Sequence, residues 1–537
     1  MTFKILALSA SAVAGIAHGG FAATLTADKC EAMNGRDIAK TEFSLETGGA
    51  LVESAEWTGG KGPGGFCKLG GAIRPVDPGA PPIKWQVNLP KAWNGRLLQY
   101  GGSGYSGVLP ETLEPIVQGP KNGPTPLAQG YVTFGSDSGH TAQNTNDASF
   151  AANNEALQNY AYMHIKKTLD VARTLVTAVY GEEPQAVYYA GGSTGGREAL
   201  TAALRWPESY DGVISYYPTA NFVGLRLWGA ALNRRIYDNE SAGWIAPELV
   251  AEIAAYATKI CDGLDGAEDG LVSNVKACRA RSSDLIDHFA CDGGGVSSSC
   301  LTKAQIDGTI SLYHDGYELP YSLANGFNRY PGYNSLEGIL MNLGTQPDYA
   351  EPVVSGPNAH HAARAYEFFR YFISGEAPFD YRSFDIKDPG PYRERLLEIA
   401  SMVDANDPDL SKFKASGGKV ILVQGTEDPS VTPHGTAALY QNMIDTLGEE
   451  NVTEFVRFYM LPGLAHGRGN MAPTWDSLAA LDNWATNGVQ PVGYVVTDST
   501  DSPSHGRTMP LCEYPSWPKF TGTGDMREAS NFACALE

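Results

Sequence analysis

Apolar residues along this chain fall into two rhythms. Short unbroken runs, Arg96–Tyr100, Tyr131–Gly135, Ala186–Ala190, Gly417–Gly425 and Glu454–Met460, have the length and β-type composition of buried strands. Between them, Glu155–Tyr180 carries apolar residues at helical spacing up to Gly181, and Glu198–Trp206 is a helix-forming stretch that stops at Pro207. Strands alternating with helices predict a mostly parallel sheet covered by helices, an α/β fold. Upstream, residues 25–84 are rich in Gly, Pro and Thr with short alternating runs, which predicts strands and loops at one edge. From about residue 223 to 385 the alternation fades, aromatics and Gly/Pro turns increase, and four of the eight cysteines occur. That change predicts an inserted lid at 223–385, with a catalytic core made of 24–222 and 386–537.

The run Ala186–Ala190 passes directly into Gly191-Gly192-Ser193-Thr194-Gly195 and then into the helix. This is the G-x-S-x-G nucleophile elbow, in which glycines make room for a cramped turn that lifts the serine hydroxyl clear of the sheet. The helix N-terminus behind Ser193 favours developing negative charge. The Arg96–Tyr100 run ends in Gly101-Gly102-Ser103-Gly104, a loop whose backbone can approach a ligand closely. In an α/β hydrolase such a loop supplies the second oxyanion donor, here from Gly102 or Ser103, beside the N–H of Thr194. The late run Gly417–Gly425 leads to Asp428, and the next run leads to His466 on a glycine-flanked loop. Ser193, Asp428 and His466 follow the Ser…Asp…His order of α/β hydrolases. His140 and His434 read as satisfied loop histidines, and His360 and His361 as part of a lid helix.

Composition narrows the partners. The 537 residues carry a net charge of −21 without a basic run, which argues against nucleic acid and anionic membrane surfaces. Residues 1–23 read as a secretory signal: Lys4, an apolar stretch too short to span a bilayer, and small residues near a cleavage zone. No later stretch reaches transmembrane length, so an exported protein, secreted or periplasmic, is expected. The cysteines fall in sequence-local pairs: Cys30 with Cys67, Cys261 with Cys278, Cys291 with Cys300, and Cys512 with Cys534. In an exported chain that suggests four disulfides, although spacing alone leaves their connectivity open. None has zinc-site spacing. In Cys261–Leu271, closely spaced carboxylates and glycines suit a hard cation with oxygen ligands, read as calcium, without the spacing of an EF-hand.

Taken together, WNGR with GGSG (Trp93–Gly104), SDSGH (Ser136–His140), GGSTGGR (Gly191–Arg197), YDGV (Tyr210–Val213), CDGLDGAEDG (Cys261–Gly270), YPG (Tyr330–Gly332), GTEDPSVTP (Gly425–Pro433) and LPGLAH (Leu461–His466) resemble the tannase and feruloyl esterase family, which includes bacterial mono-hydroxyethyl terephthalate hydrolases. The resemblance covers nearly all of the chain after the signal. It implies an α/β-hydrolase core with a lid, hydrolysing esters of small aromatic acids through Ser193, His466 and Asp428. It also implies structural calcium on the lid, held by the side chains of Asp262, Asp265 and Asp269 and the carbonyls of Ala267 and Leu271. The four cysteine pairs look like those of the family. Members usually join a cysteine just before the nucleophile to one just after the histidine; here those positions are Gly192 and Gly467. Packing and hydrogen bonds must then align the two loops, with a more mobile His466 loop expected. The sequence leaves galloyl, hydroxycinnamoyl and terephthaloyl monoesters as equal candidates. A lid-bearing protein that binds such esters or plant polymers with little or no turnover is the alternative. Arg370, Tyr371 and Phe372 read more readily as lid core than as substrate contacts.

Overall fold

In the computed structural model the described residues are 25–59, 64–292, 299–375, 377, 379–498 and 501–536, so the signal expected over 1–23 lies outside them. Short strands after Leu461 form small separate sheets, and as far as that residue the strands are β1 (Asp37–Ile38), β2 (Ala50–Thr58), β3 (Phe66–Ile73), β4 (Ile83–Pro90), β5 (Arg96–Tyr100), β6 (Val132–Ser136), β7 (Ala186–Gly192), β8 (Gly212–Tyr216), β9 (Tyr317–Glu318), β10 (Arg329–Tyr330), β11 (Lys419–Gly425) and β12 (Val456–Leu461). Ten of them form one sheet in the order β1-β2-β3-β4-β6-β5-β7-β8-β11-β12. The Gly/Pro/Thr-rich N-terminal stretch supplies the antiparallel edge β1–β4, and β4 pairs antiparallel with β6. From β6 to β12 every pairing is parallel. The chain has the α/β-hydrolase type of architecture expected from the sequence.

Alternation along the strands divides the core into two layers. Leu97, Val187, Val420 and Leu422 face one layer with helices Thr194–Arg205 and His164–Tyr180; Leu98, Tyr188, Ile421 and Val423 face the other with helix Ser477–Asn487. Both faces are covered, which explains why these strands read as continuous apolar runs.

The connectivity that spacing left open is the sequence-local one. Cys30 is bonded to Cys67, Cys261 to Cys278, Cys291 to Cys300, and Cys512 to Cys534, with Cα–Cα separations of 5.1–5.5 Å. The bond from Cys30 to Cys67 ties helix Ala27–Glu31 to β3 at the antiparallel edge. That from Cys261 to Cys278 closes the segment containing the acidic loop, and that from Cys291 to Cys300 lies within the insert. Cys512 and Cys534 pin the C-terminal segment to itself.

Between β8 and β11 the chain contributes nothing to the main sheet. It builds a third apolar core around helices Phe222–Ser241 and His360–Phe368, with Trp228, Tyr313, Tyr333, Phe368 and Phe372 fully buried. Leu396, Ile399 and Val403 of helix Arg393–Val403 join it, as do Tyr105, Phe150 and Tyr160 from segments after β5 and β6. The insert is therefore welded to the loops at the carboxyl ends of the strands, where α/β enzymes bind their ligands. Tyr371 and Phe372 lie inside this core, in keeping with the lid-core reading, whereas Arg370 departs from it and is exposed.

Two local features depart from the sequence pattern. The helix expected over Glu155–Tyr180 is broken into Asn154–Gln158 and His164–Tyr180 by a π-type turn, Asn159–Met163. The turn frees carbonyls that the buried Arg197 takes up, donating to Ala161 O at 2.7 Å and Tyr160 O at 3.2 Å. Helical periodicity carries no trace of a donor supplied from another element. The acidic loop belongs to the insert in sequence but packs elsewhere in space. Ala267 and Leu271 are buried in the layer that contains Leu464, Met471 and Trp475, and Arg507 pairs with Asp269. A location on the lid is thus replaced by one beneath the His466 loop, because the apolar residues between the carboxylates follow the nearest core.

Candidate active site

Ser193 terminates β7 with φ 60° and ψ −121°, a strained conformation for a residue with a side chain. Its N–H donates to Tyr216 O at 3.0 Å, tying the elbow to β8. A Cβ on Gly191 would lie 2.5 Å from the carbonyl carbon of Gly195, and one on Gly101 would lie 2.5 Å from its Cα. Glycine is required at both, because the elbow and the loop after β5 touch backbone to backbone. Thr194 Oγ1 donates to Gly104 O at 2.5 Å across the same junction.

The two loop residues expected to offer oxyanion donors differ in their surroundings. Gly102 N–H donates to Glu198 Oε2 at 2.8 Å, so that amide is already committed. Ser103 is exposed on the same loop. Glu198 is fully buried, also accepts from Tyr189 OH at 2.9 Å, and lies 3.5 Å from His164 Nε2 and 3.8 Å from Arg197 Nη2. Sequence reasoning missed Glu198, whose only signal was a carboxylate beside Arg197 in first turns that are otherwise small or apolar.

Asp428 follows β11 and is wholly buried. Its Oδ1 accepts from Ser430 N at 2.7 Å and Val431 N at 2.9 Å; its Oδ2 accepts from Gln424 Nε2 at 3.3 Å and meets His466 Nδ1 at 2.8 Å. The neighbouring Glu427 faces away, accepting from Asn470 Nδ2 at 3.2 Å, and burial pushes its carboxyl up to about 7. Of the two acids after β11, only Asp428 therefore addresses the histidine. The insert grips this loop: Asn334 Nδ2 donates to Thr426 O at 2.8 Å, His361 Nε2 lies 2.9 Å from Pro429 O, and Thr432 Oγ1 donates to Gly332 O.

His466 follows β12 on a tight loop closed by Ala465 N–H to Arg468 O at 2.6 Å and Gly467 N–H to Ala465 O at 2.9 Å. Its side chain is 27% exposed. Its ring lies 4.6 Å from the ring of Tyr217, the residue after β8. A Cβ on Gly192 would come within 2.6 Å of that ring, and one on Gly467 within 3.3 Å of its hydroxyl. The structure thus joins His466 to Asp428 directly and brings the elbow and the histidine loop against one shared aromatic side chain. Sequence reasoning also missed Tyr217, though the Tyr216-Tyr217 doublet closing a strand was a visible aromatic signal.

None of the other histidines considered from the sequence is bonded to Asp428. His140 stacks on Phe150 at 3.9 Å, His434 sits 3.4 Å from Arg279 Nη1, and His360 and His361 open helix His360–Phe368 as expected. A cleft of about 740 Å³ lined by Thr219, Val431, Arg279 and His434 opens behind the acid loop and includes none of Ser193, Asp428 and His466. In the acidic loop, Asp262 Oδ1 accepts from the amides of Asp269 and Gly270, each at 2.9 Å, and Asp265 Oδ1 accepts from Ala267 N at 2.9 Å. Among the described residues no three carboxylates, imidazoles or thiols converge closely enough to hold a metal ion.

The family described as "Tannase and feruloyl esterase" matches residues 67–535 of this chain. The chain belongs to the tannase and feruloyl esterase family. It is accordingly a carboxylic ester hydrolase. This family member is 55% identical over 512 residues to an uncharacterized esterase of Agrobacterium fabrum, covering 94% of this chain and 93% of that one. A probable feruloyl esterase B-1 of Aspergillus oryzae is 25% identical over 496 residues, covering 87% and 84%. Among solved structures, feruloyl esterase B from Aspergillus oryzae superposes with a TM-score of 0.76 at 21% identity, over 95% of this chain and 99% of that one. The tannin acyl hydrolase from Aspergillus niger gives 0.66 at 18% identity, over 91% and 90%. At those identities the likeness establishes the esterase's fold.

Proposed function

We propose that this esterase cleaves esters of small aromatic carboxylic acids, galloyl, hydroxycinnamoyl or terephthaloyl monoesters, through Ser193, His466 and Asp428. The observation that carries the reading is the 2.8 Å bond from His466 Nδ1 to a buried Asp428, in a molecule whose Ser193 holds the strained elbow conformation. Asp428 engages Nδ1 of the imidazole, which in this reading leaves Nε2 for the serine. Ser193 Oγ then adds to the ester carbonyl carbon while Nε2 takes its proton, and the carbonyl electron pair moves to oxygen. The resulting oxyanion is held by the N–H groups of Thr194 and Ser103; each such donor contributes roughly 3 kcal/mol. Gly102, whose amide serves Glu198, instead keeps that loop against the elbow. Collapse breaks the bond to the alcohol, which leaves with the proton from His466. Water, deprotonated by the same nitrogen, cleaves the acyl-enzyme and restores Ser193. Presence of all three groups argues against a binding protein without turnover.

The acidic loop is proposed to bind calcium as a structural ion through Asp262, Asp265, Asp269 and the carbonyls of Ala267 and Leu271. The three carboxylates do not converge on one point in this structure, and Asp269 is paired with Arg507, so the reading rests on two other observations. Every donor is oxygen, the chemistry of a hard cation. Asp265 is 1% exposed and, among the described residues, forms no ion pair with a cationic side chain. The ion would supply charge neutralisation to the loop and no step of the hydrolysis. The four disulfides support an oxidising compartment, secreted or periplasmic.

The test is initial-rate hydrolysis of methyl gallate, methyl ferulate, mono-hydroxyethyl terephthalate and p-nitrophenyl acetate by the wild type and Ser193→Ala. Turnover of one aromatic ester that falls about 10⁶-fold in the variant is expected. Activity that persists in Ser193→Ala would remove the serine from the mechanism.

A further inference from the structure

Tyr217 stands where three parts of the site meet, and neither the fold nor the hydrolytic steps above assign it a task. It leaves β8 with φ 34°, an uncommon value for a residue with a bulky side chain. Its N–H donates to Val423 O at 2.7 Å, which anchors the backbone to the neighbouring strand β11. The ring is 5% exposed. It is packed so closely on Gly192 that an added Cβ there would lie 2.6, 3.1 and 3.2 Å from its Cε2, Cζ and Oη, and these are the three nearest atoms. Gly192 is a strand residue without positive φ, so its backbone admits a side chain and only the ring excludes one. The ring also meets the imidazole of His466, with 4.6 Å between centroids and planes tilted by 49°. Its hydroxyl lies beside Gly467. One rigid side chain thus touches the residue before the nucleophile, the histidine ring and the residue after the histidine.

We propose that Tyr217 is a positioning residue that clamps the His466 loop to the nucleophile elbow, and that Gly192 is glycine because its ring occupies the space beside it, whereas Gly467, at φ 82°, needs glycine for its backbone. The two loops are thus joined through an aromatic side chain rather than a covalent bond. Asp428 fixes one nitrogen of the imidazole but leaves the ring able to swing about that bond. A face pressed against Tyr217 removes the swing, and aromatic pairs of this kind have a preferred geometry. Aim matters because a displacement of about 1 Å of a reacting group costs on the order of 100-fold in rate.

The inference rests on the Ser193–His466–Asp428 reading, and a double-mutant cycle separates the two. Tyr217→Ala is expected to lower kcat on the best ester by about 100-fold with KM nearly unchanged, whereas Tyr217→Phe, which keeps the ring, stays within about twofold of wild type. Gly192→Ala, with its methyl group in the ring's place, should lower kcat on its own and cost far less in the Tyr217→Ala background, the signature of a direct contact. Tyr217→Leu fills the volume without offering a ring face. It should hold the thermal midpoint of the wild type yet lose kcat, which a purely structural role would not produce, and it serves if Tyr217→Ala does not fold. Tyr217→Leu with wild-type kcat, or equal losses from Gly192→Ala in both backgrounds, would overturn the clamp while leaving the triad standing. Activity in Ser193→Ala would instead overturn the reading on which it rests.

Discussion

Asp428 and His466 reach the same hydrogen bond from loops of different construction. The acid is fully buried, with donors from Ser430, Val431 and Gln424, and its loop has two ties from insert side chains to its backbone and a third from its own Thr432 to the insert. The histidine projects from a loop that closes mostly on itself, keeps 27% of its side chain exposed, and takes its orientation from Asp428 on one side and Tyr217 on the other. Fixing the carboxylate is a matter of saturating its acceptors, which backbone amides do cheaply in a tight turn. Aiming the imidazole is different, since the proposed proton transfer needs one nitrogen unencumbered and leaves the ring faces for support.

If that contrast is right, the largest effect should follow from cutting the bond that joins the two loops. Asp428→Asn is expected to lower kcat by about 10⁴-fold, because the amide selects the wrong tautomer. The thermal midpoint should change little, since the Asn oxygen can still accept from Ser430 and Val431. A loss of stability that matches the loss of rate would make the acid a structural residue first.

Calcium removal should act on the histidine side. Leu271 packs in the layer that holds Leu464 and Met471, so the acidic loop forms part of the floor under His466. With free calcium a hundredfold above its dissociation constant, chelation should cost about 2.7 kcal/mol of stability. Limited proteolysis should then cut residues 462–471 before the insert. Cleavage that starts in the insert would return the ion to the lid. On the acid side, Asn334→Ala strands the Thr426 carbonyl inside the protein and should cost about 1–3 kcal/mol in denaturant unfolding, with kcat nearly unchanged.

The smallest effect is expected in the pH dependence of stability. Burial raises the Glu427 carboxyl from 4.5 to about 7, so the folded protein binds this proton more tightly than the unfolded chain. Its contribution is fully present below about pH 4.5 and is lost as pH rises through about 7. Glu427→Gln should flatten the fall in thermal midpoint over that window and leave Asp428 in place. An unchanged slope would mean that water reaches the carboxylate in the native state.

The parts legible in the sequence are those set by the local chain. Buried runs such as Lys419–Gly425 announced the parallel strands, and the glycines around Ser193 announced a turn that only they allow. Asp428 and His466 were legible because each follows such a run. Glu198, Arg197 and Tyr217 were not, since each acts on backbone or rings brought near only by the fold. The acidic loop was legible as chemistry but not as place. Its carboxylates mark it, whereas Ala267 and Leu271, which decide where it packs, are ordinary apolar residues.

The Glu198 carboxylate has a consequence for anyone who would rebuild this site in another scaffold. It rises from the helix behind Ser193 and holds the amide of Gly102 on a loop nearly a hundred residues earlier in the chain, so the elbow and the loop proposed to share the oxyanion are tied into one unit. Grafting the serine turn alone would leave its companion loop behind. The transplantable module is the turn, the first helical residues through Glu198, and the glycine loop that this acid keeps in register.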